Sequence, residues 1–434
     1  MVSGVTVTDL TDFRRFLDSS PSSFHAAATA ARMLEAVGFT RCDLADEADA
    51  LQPGERGYVV RGGSIVAFRV GERPAVVGGM RIVAAHTDSP NLRLKPRPLI
   101  RGNGWVRLGL EPYGGVILAS WTDRDLGLAG RVALRHGQGV RHELVRVDRP
   151  ICRIPNLAIH LNRGVNEDGL KLNAQTQLPA IFALDNEGSG GDPVRAMLAG
   201  ELGCEPGDVL TWDLGTYDLT PAVIGGLHGE FLFSARLDNQ ASCHAALAAL
   251  IESLDGDVPV ATSVVALFDH EEIGSRTSRG ADGRLLQSVI GHILGPDHTP
   301  TGVTRAMERS FLVSADMSHA VHPAYADKSE PEHMPRINGG PVIKQHTGWR
   351  YSTEGDGAAM FGLACERAGV TPQWYVHRSD LACGSTVGPM LAADLGIRSV
   401  DVGNPMLSMH SAREMCGTTD HPAMIAALAE MLRS

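Results

Sequence analysis

From about residue 228 onward, apolar runs of strand length alternate with longer stretches of helical spacing. FLFSARL is followed by NQASCHAALAALIESL, whose Ala/Leu spacing without Gly or Pro suits a helix. TSVVALF and 311-FLVSA-315 read as strands, GDGAAMFGLACERAGV as a helix and TPQWYVH as a strand. CGSTVGPMLAADLG then reads as a helix, IRSVDVG as a strand and HPAMIAALAEMLRS as a terminal helix. Such alternation predicts α/β layers around a largely buried sheet. The start of the chain agrees with this. Phe13, Phe16 and Leu17 form one apolar stripe. Ser22 or Ser23 could cap a second helix, FHAAATAARMLEAVGF, and 58-YVVRGGSIVAFRV-70 carries a Gly-Gly hairpin signal ahead of the strand 81-RIVAAH-86.

Between about 92 and 225 the texture changes to short alternating segments such as WVRLGLEPY, VILASW, LAGRVALRH and ELVRVD, with helical spacing only near 193–201. This predicts a β-rich module, 92–225, inserted into an α/β domain built from 1–91 and 226–434. A chain of 434 residues accommodates two or three domains and buries a substantial core without disulfides. Its seven cysteines are odd in number and scattered, with no CxxC, as expected of reduced thiols in a cytoplasmic protein. The net charge of −11 and the lack of any long Lys/Arg run argue against nucleic-acid or anionic-membrane partners. Neither a signal peptide nor an apolar run approaching a membrane span is expected.

The chemistry lies at the strand ends. RIVAAHTDS ends in His86 and Asp88, FLFSARLDN in Asp238, VVALFDHEE in Glu271 and Glu272, and FLVSADMSH in Asp316 and His319. SVDVGNPMLSMHS reaches His410 a few residues beyond its strand. Any one of these alone is ordinarily a turn residue or a helix cap. Together they predict convergence on the crevice outside the carboxyl ends of the strands. Carboxylates and imidazoles with little cysteine suit zinc or manganese better than calcium. A pair of metals requires a bridging carboxylate and a water between them. That water becomes a hydroxide near neutral pH and attacks a carbonyl. A carboxylate that binds no metal then takes the water's proton and passes it to the leaving nitrogen. The adjacent Glu271 and Glu272 can divide these roles only if the chain leaves strand alternation there, and Gly274 makes such a turn plausible. In His-x-Asp, Asp88 can accept from the other nitrogen of the His86 ring.

These segments, AAHTDSP, ARLDN, FDHEEIGS, SADMSHAVHPAY and MHSAREM, resemble the signatures of the M18 metallopeptidases, the aspartyl aminopeptidase family. So do FLDSSPSSFHA and 154-IPNLAIHLNRGVNEDGLKLN-173, and the resemblance covers nearly the whole chain. It implies a zinc-peptidase (phosphorylase/hydrolase-like) three-layer α/β sandwich with an inserted β-rich dimerisation domain. It implies two Zn2+ per subunit, with Mn2+ or Co2+ as substitutes. His86 and Asp316 would be terminal ligands of one zinc, Asp238 the bridge, and Glu272 and His410 the ligands of the second. Glu271 would be the general base and Asp88 the orienting acid. His160, which alone reads as a surface histidine, would reach the active site of a neighbouring subunit and stabilise the tetrahedral intermediate. His319, Lys344 and Tyr351 would contact substrate, although Lys344 alone reads as a solvated lysine. The family often has Asn two residues after this lysine, where this chain has His346. The implied reaction removes the N-terminal residue from short peptides with a free N-terminus, with Asp or Glu among the first residues the family prefers. The implied assembly is a tetrahedral dodecamer built from dimers. The alternative is a related di-zinc carboxypeptidase or N-deacylase with a similar ligand set.

Overall fold

The computed structural model describes residues 10–46, 50–185 and 191–434. The N-terminal residues 1–9, read above for a signal peptide, lie outside them. By internal packing the chain divides into two compact units. One comprises Met1–Asp88, Ala222–Met409 and Glu414–Ser434, the other Ser89–Pro221 with His410–Arg413.

The first unit is a three-layer α/β sandwich around a nine-stranded sheet. Four central strands are mutually parallel, in the order Thr262–Phe268, Met80–His86, Phe311–Ala315 and Arg398–Gly403. Being covered on both faces, each is almost wholly buried, and all but Arg398–Gly403, which carries Arg398 and buried Asp401, are largely apolar. Alternation assigns their side chains to opposite layers. Val83, Ala85, Val265, Leu267 and Val313 pack with Ala27, Leu34, Leu247, Phe361 and Leu428 of one helical layer. Ile82, Ala84, Val264, Ala266 and Leu312 pack with Leu286, Val289, Met307 and Leu391 of the other. Flanking strands Arg56–Arg61 and Ser64–Arg69 form the expected hairpin, turning through Gly62 at φ 64°.

Parallel register puts Phe268 beside His86, and Asp316 directly follows Ala315, so the carboxyl ends of three strands come level. Gly403 permits the close approach of its strand, because a Cβ there would overlap the carbonyl oxygen of Asp316. A separate five-stranded sheet, in the order Val223–Gly225, Phe231–Ser234, Glu414–Gly417, Pro405–Leu407 and Ser318–His319, carries His319.

Most helices fall where the spacing predicts them: Thr11–Ser19, Ser23–Glu35, Leu237–Glu252, Gly355–Arg367 and Asp420–Arg433. Ser22 caps the second, accepting from the His25 N–H. CGSTVGPMLAADLG is helical only from Val387. Thr386 caps that helix through the Gly388 N–H, while its hydroxyl donates to buried Asp401 at 2.7 Å.

The second unit is a six-stranded antiparallel sheet running Gly139–Cys152, Leu126–His136, Val209–Asp218, Asn91–Gly102, Trp105–Tyr113 and Ala180–Leu184. Its one long helix among the described residues, Pro193–Leu202, starts at Asp192, which accepts from the N–H groups of Val194 and Arg195, and ends at left-handed Gly203. VILASW is not a strand. Leu118–Trp121 is a single 3-10 turn, because Leu118 and buried Trp121, three residues apart, both turn to the core. Among the described residues no helix is long and apolar enough to cross a membrane.

One polar clamp ties the start of the last helix to the loop that leads into the strand Val342–Gln345. Buried Asp420 accepts from the N–H groups of Asn338 at 2.7 Å and Gly340 at 2.8 Å. The Asn338 side chain donates to the Glu230 carbonyl and accepts from Thr419. Asp420→Ala leaves two donors without their acceptor and is expected to cost about 1–3 kcal/mol. Urea unfolding at unchanged m checks this; an unshifted midpoint would show that the clamp contributes nothing.

Candidate metal centre

Glu271 and Glu272 do not continue the strand before them. His270 turns the chain in a left-handed conformation, φ 66°, and Glu271–Ile273 form one 3-10 turn that closes at Gly274, φ 93°. A non-glycine residue in that region needs local support. The His270 N–H donates to the Asp269 carboxylate at 3.0 Å. Its Nε2 lies 2.7 Å from an Arg279 guanidinium nitrogen, which can only donate. The ring is therefore neutral at Nε2, and Nδ1–H donates to the Thr277 hydroxyl at 2.9 Å.

The carboxylate of Asp88 secures the turn from the other side. Its Oδ1 accepts from the Glu271 N–H and its Oδ2 from the Glu272 N–H, each at 3.1 Å. The His86 ring is held through Nδ1, 3.0 Å from the backbone carbonyl of Asp88 and 3.5 Å from its Oδ1. A carbonyl can only accept, so Nδ1 carries a proton, and Nε2 is the atom left to bind a metal once it gives up its own.

That Nε2 faces three acids. It lies 3.5 Å from Asp238 Oδ1, 3.6 Å from Asp316 Oδ1 and 4.0 Å from Glu271 Oε2. Asp238 sits at the distorted start of the helix Leu237–Glu252, with non-helical angles and a cis peptide to Asn239. Left-handed Arg236 precedes it, anchored on the carbonyls of Ser20 and Leu17. The Asp238 N–H donates to buried Glu414, and the Asn239 amide donates to the Ala315 carbonyl at 2.8 Å, which joins this turn to the strand end before Asp316. Neither Glu414 nor Asn239 stood out in the sequence. Their contacts run to distant backbone groups, and an acid in the otherwise uncharged strand Glu414–Gly417 was the only available signal.

The donor set fits a divalent transition metal. One atom each from His86, Asp238 and Asp316 lie within 4.8 Å of one another, and so do one each from His86, Glu271 and Glu272. Two ligands at ordinary zinc distances in a tetrahedral shell stand about 3.4 Å apart, close to the 3.5 and 3.6 Å seen between His86 Nε2 and the two aspartates. Without a cation these charges strain one another. Burial, and then the Asp316 carboxylate, push Glu271 up to about 8 against the pull of His86. Burial and Asp238 push Glu272 well above the usual carboxylate range. Burial lowers His86, yet Asp238, Asp316 and Asp88 outweigh it and hold the imidazole well above the usual histidine range.

A pH dependence follows. Between pH 6.5 and 8 folded Glu271 keeps a proton that it has lost in the unfolded chain, so raising the pH lowers stability. The stabilisation from the raised His86 is also lost as pH rises through its folded value. Chelator-treated protein should therefore melt lower at pH 8 than at pH 6.5, and saturating zinc should remove most of the difference. Equal melting temperatures in chelator would show that these groups are not buried together.

Lys344 is not a solvated lysine. It is 2 % exposed, its Nζ donates to the carbonyls of Asp316 at 2.8 Å and Met317 at 3.3 Å, and it lies 5.0 Å from the Tyr351 ring centroid. Buried Tyr351 in turn accepts from Cys383 at 3.5 Å. His319 lies at an exposed position in its short strand, with its ring edge-on to Tyr375. His410 and His160 belong to the second unit. His410 is left-handed, φ 68°, with Nδ1 3.0 Å from the Gly115 carbonyl, which leaves Nε2 the lone pair. His160 is exposed in the 3-10 turn Ile159–Leu161.

Known proteins supply the family. Residues 16–431 match the model described as aminopeptidase I zinc metalloprotease (M18). A probable M18 family aminopeptidase 2 of Streptomyces avermitilis is 46% identical over 417 residues, covering 96% of this chain and 95% of its own. One of Ectopseudomonas mendocina is 46% identical over 420 residues, covering 95% of each. Among solved structures, Ape4 in complex with Nbr1 superposes with TM-score 0.93 at 37% identity, over 97% of this chain and 85% of that one. The mApe1 dodecamer of S. cerevisiae superposes with TM-score 0.82 at 27% identity, over 96% and 95%. The chain belongs to the M18 family of zinc metalloproteases, the aminopeptidase I family.

Proposed function

We propose that this chain is a di-zinc aminopeptidase that removes the N-terminal residue from short peptides. The observation that carries this reading is the turn at His270, which takes Glu271 and Glu272 out of the strand and sets both beside His86. His86 and Asp316 would hold one ion, Asp238 both, and Glu272 and His410 the second. Manganese or cobalt are substitutes with the same ligand preferences. When bound, the metals polarise the scissile carbonyl and lower the pKa of water.

The chain's own groups do the rest. Glu271 takes the proton of the attacking water and returns it to the leaving nitrogen. Asp88 holds the turn from which Glu271 projects. Lys344 braces the backbone of Asp316, with its Nζ 3.9 Å from the Asp316 carboxylate, and together with His319 and Tyr351 it would face substrate. A cation there would suit an acidic first residue, with His346 shaping the pocket. His160 of a neighbouring copy would donate to the developing oxyanion. This requires assembly through the β-rich module, 92–225, into dimers and a dodecamer like that of mApe1, in the cytoplasm.

The direct test compares a free-amine peptide with its N-acetylated form in zinc, manganese and cobalt. Only the free amine should be cleaved. Equal cleavage would favour the carboxypeptidase or deacylase alternative. Glu272→Gln should weaken metal binding about 10–100-fold, scaled from changes at metal-supporting residues. Unchanged affinity by metal titration would remove it from the ligand set.

A further inference from the structure

The turn that carries Glu271 and Glu272 opens at His270, whose φ of 66° is unfavourable for a residue with a Cβ. Arg279 grips the His270 ring. Its Nη2 donates to His270 Nε2 at 2.7 Å, and its Nε lies 3.5 Å from the buried carboxylate of Asp269. The guanidinium carbon lies 5.0 Å from the Phe24 ring centroid. The Arg279 side chain is only 18 % exposed, so these contacts rather than water fix where it sits.

The seat for Arg279 is the head of the hairpin formed by Arg56–Arg61 and Ser64–Arg69. A Cβ on Gly62 would stand 2.5 Å from Arg279 Cδ, and one on Gly63 would stand 2.5 Å from Asp269 Oδ2. Besides turning the chain, the two glycines therefore leave a notch that admits both side chains. Buried Ser64 closes the segment at its two ends. Its hydroxyl donates to the Arg279 carbonyl at 2.7 Å and accepts from the Asp269 N–H at 2.8 Å. The Gly63 carbonyl accepts from the hydroxyl of Thr87, which stands between His86 and Asp88, at 2.7 Å. One hairpin head thus touches both the His86–Asp88 segment and the segment that carries the two glutamates.

We propose that Arg279 is a positioning residue for Glu271 and Glu272: seated in the hairpin notch, it holds His270 left-handed and so sets where the proton acceptor and the metal ligand point. The inference rests on the roles proposed above for the two glutamates.

The test uses Arg279→Met, which keeps much of the stem and removes every donor. At saturating zinc, kcat should fall about 10–100-fold, the usual cost of losing a group that orients metal-site residues. KM should barely move, because the substrate contacts lie on other segments. When zinc-free protein is titrated with zinc, half-saturation should need about tenfold more metal, since Glu272 rides on the same turn. In a Glu271→Gln background the loss of kcat from Arg279→Met should shrink to within about twofold, whereas a loosened fold would cost the same in both backgrounds. Arg279→Lys should recover only part of kcat, because an ammonium lacks the fork that reaches His270 and Asp269 together. Should Arg279→Met not fold, the same cycle is run with Arg279→Lys, for which a loss of about tenfold is expected. If Glu271→Gln alone keeps turnover, the proposed base is wrong, and the zinc titration still decides Arg279. Unchanged zinc affinity in the folded variant, or an equal loss of kcat in both backgrounds when Glu271→Gln itself is impaired, overturns the inference.

Discussion

Glu271→Gln should lose turnover by about 10²–10⁴-fold, the usual worth of a positioned proton acceptor, while its metal content stays that of the unmodified protein. The substitution keeps the shape of the side chain and removes only its capacity to take a proton. The backbone N–H of residue 271 remains, so the bond to Asp88 and the turn should survive. A second readout separates this from damage to the fold. Glu271 is held up to about 8 by burial and neighbouring acids, so in metal-free protein its ionisation destabilises the folded state as pH rises. The amide cannot ionise. Chelated Glu271→Gln should therefore melt higher than chelated unmodified protein at pH 8, with a smaller gap at pH 6.5. Near-normal turnover would move the base elsewhere, and lost metal would make Glu271 a ligand.

The parts legible in the sequence share a physical origin. The parallel strands are buried on both faces, so Met80–His86 and Thr262–Phe268 read as near-continuous apolar runs, and the residues just beyond them could be picked out. The helices Leu285–Leu294 and Pro300–Glu308 were not assigned. Each contains a glycine, and Gly302 is there because a Cβ would overlap the Asp297 carbonyl, a reason visible only in space. The strand Val342–Gln345 was also missed, at four residues with a lysine inside it.

At the site the limit was similar. Glu271 and Glu272 could be named as a pair, and Gly274 suggested the turn that it does close, but the turn opens at His270, a left-handed non-glycine residue, and what holds that ring is Arg279, nine positions on. Lys344 reads as a surface residue because its partners, the carbonyls of Asp316 and Met317, are backbone groups 28 and 27 residues away. Propensity and periodicity report on neighbours along the chain, whereas long-range bonds from side chain to backbone leave no local mark.

The second large effect is expected at Asp88. Its carboxylate is not proposed as a ligand, yet it accepts from the N–H groups of both Glu271 and Glu272 and lies 3.5 Å from His86 Nδ1. Asp88→Ala leaves two part-buried donors without an acceptor and frees the turn that sets both glutamates. Loss of such a supporting group typically costs about 10–100-fold in metal affinity or activity. Here two glutamates shift together, so turnover at saturating metal should fall about 100-fold or more on the same scale. Unlike Glu271→Gln, the variant should need more metal to saturate. Asp88→Asn is the sharper probe, because its amide offers one oxygen to one N–H and sets its NH2 against the other. It should behave like Asp88→Ala, whereas a residue needed only for volume would be rescued. Metal titration followed by kcat at saturation tests the pair. If Asp88→Asn recovers both, the paired acceptance from Glu271 and Glu272 is not what holds the site.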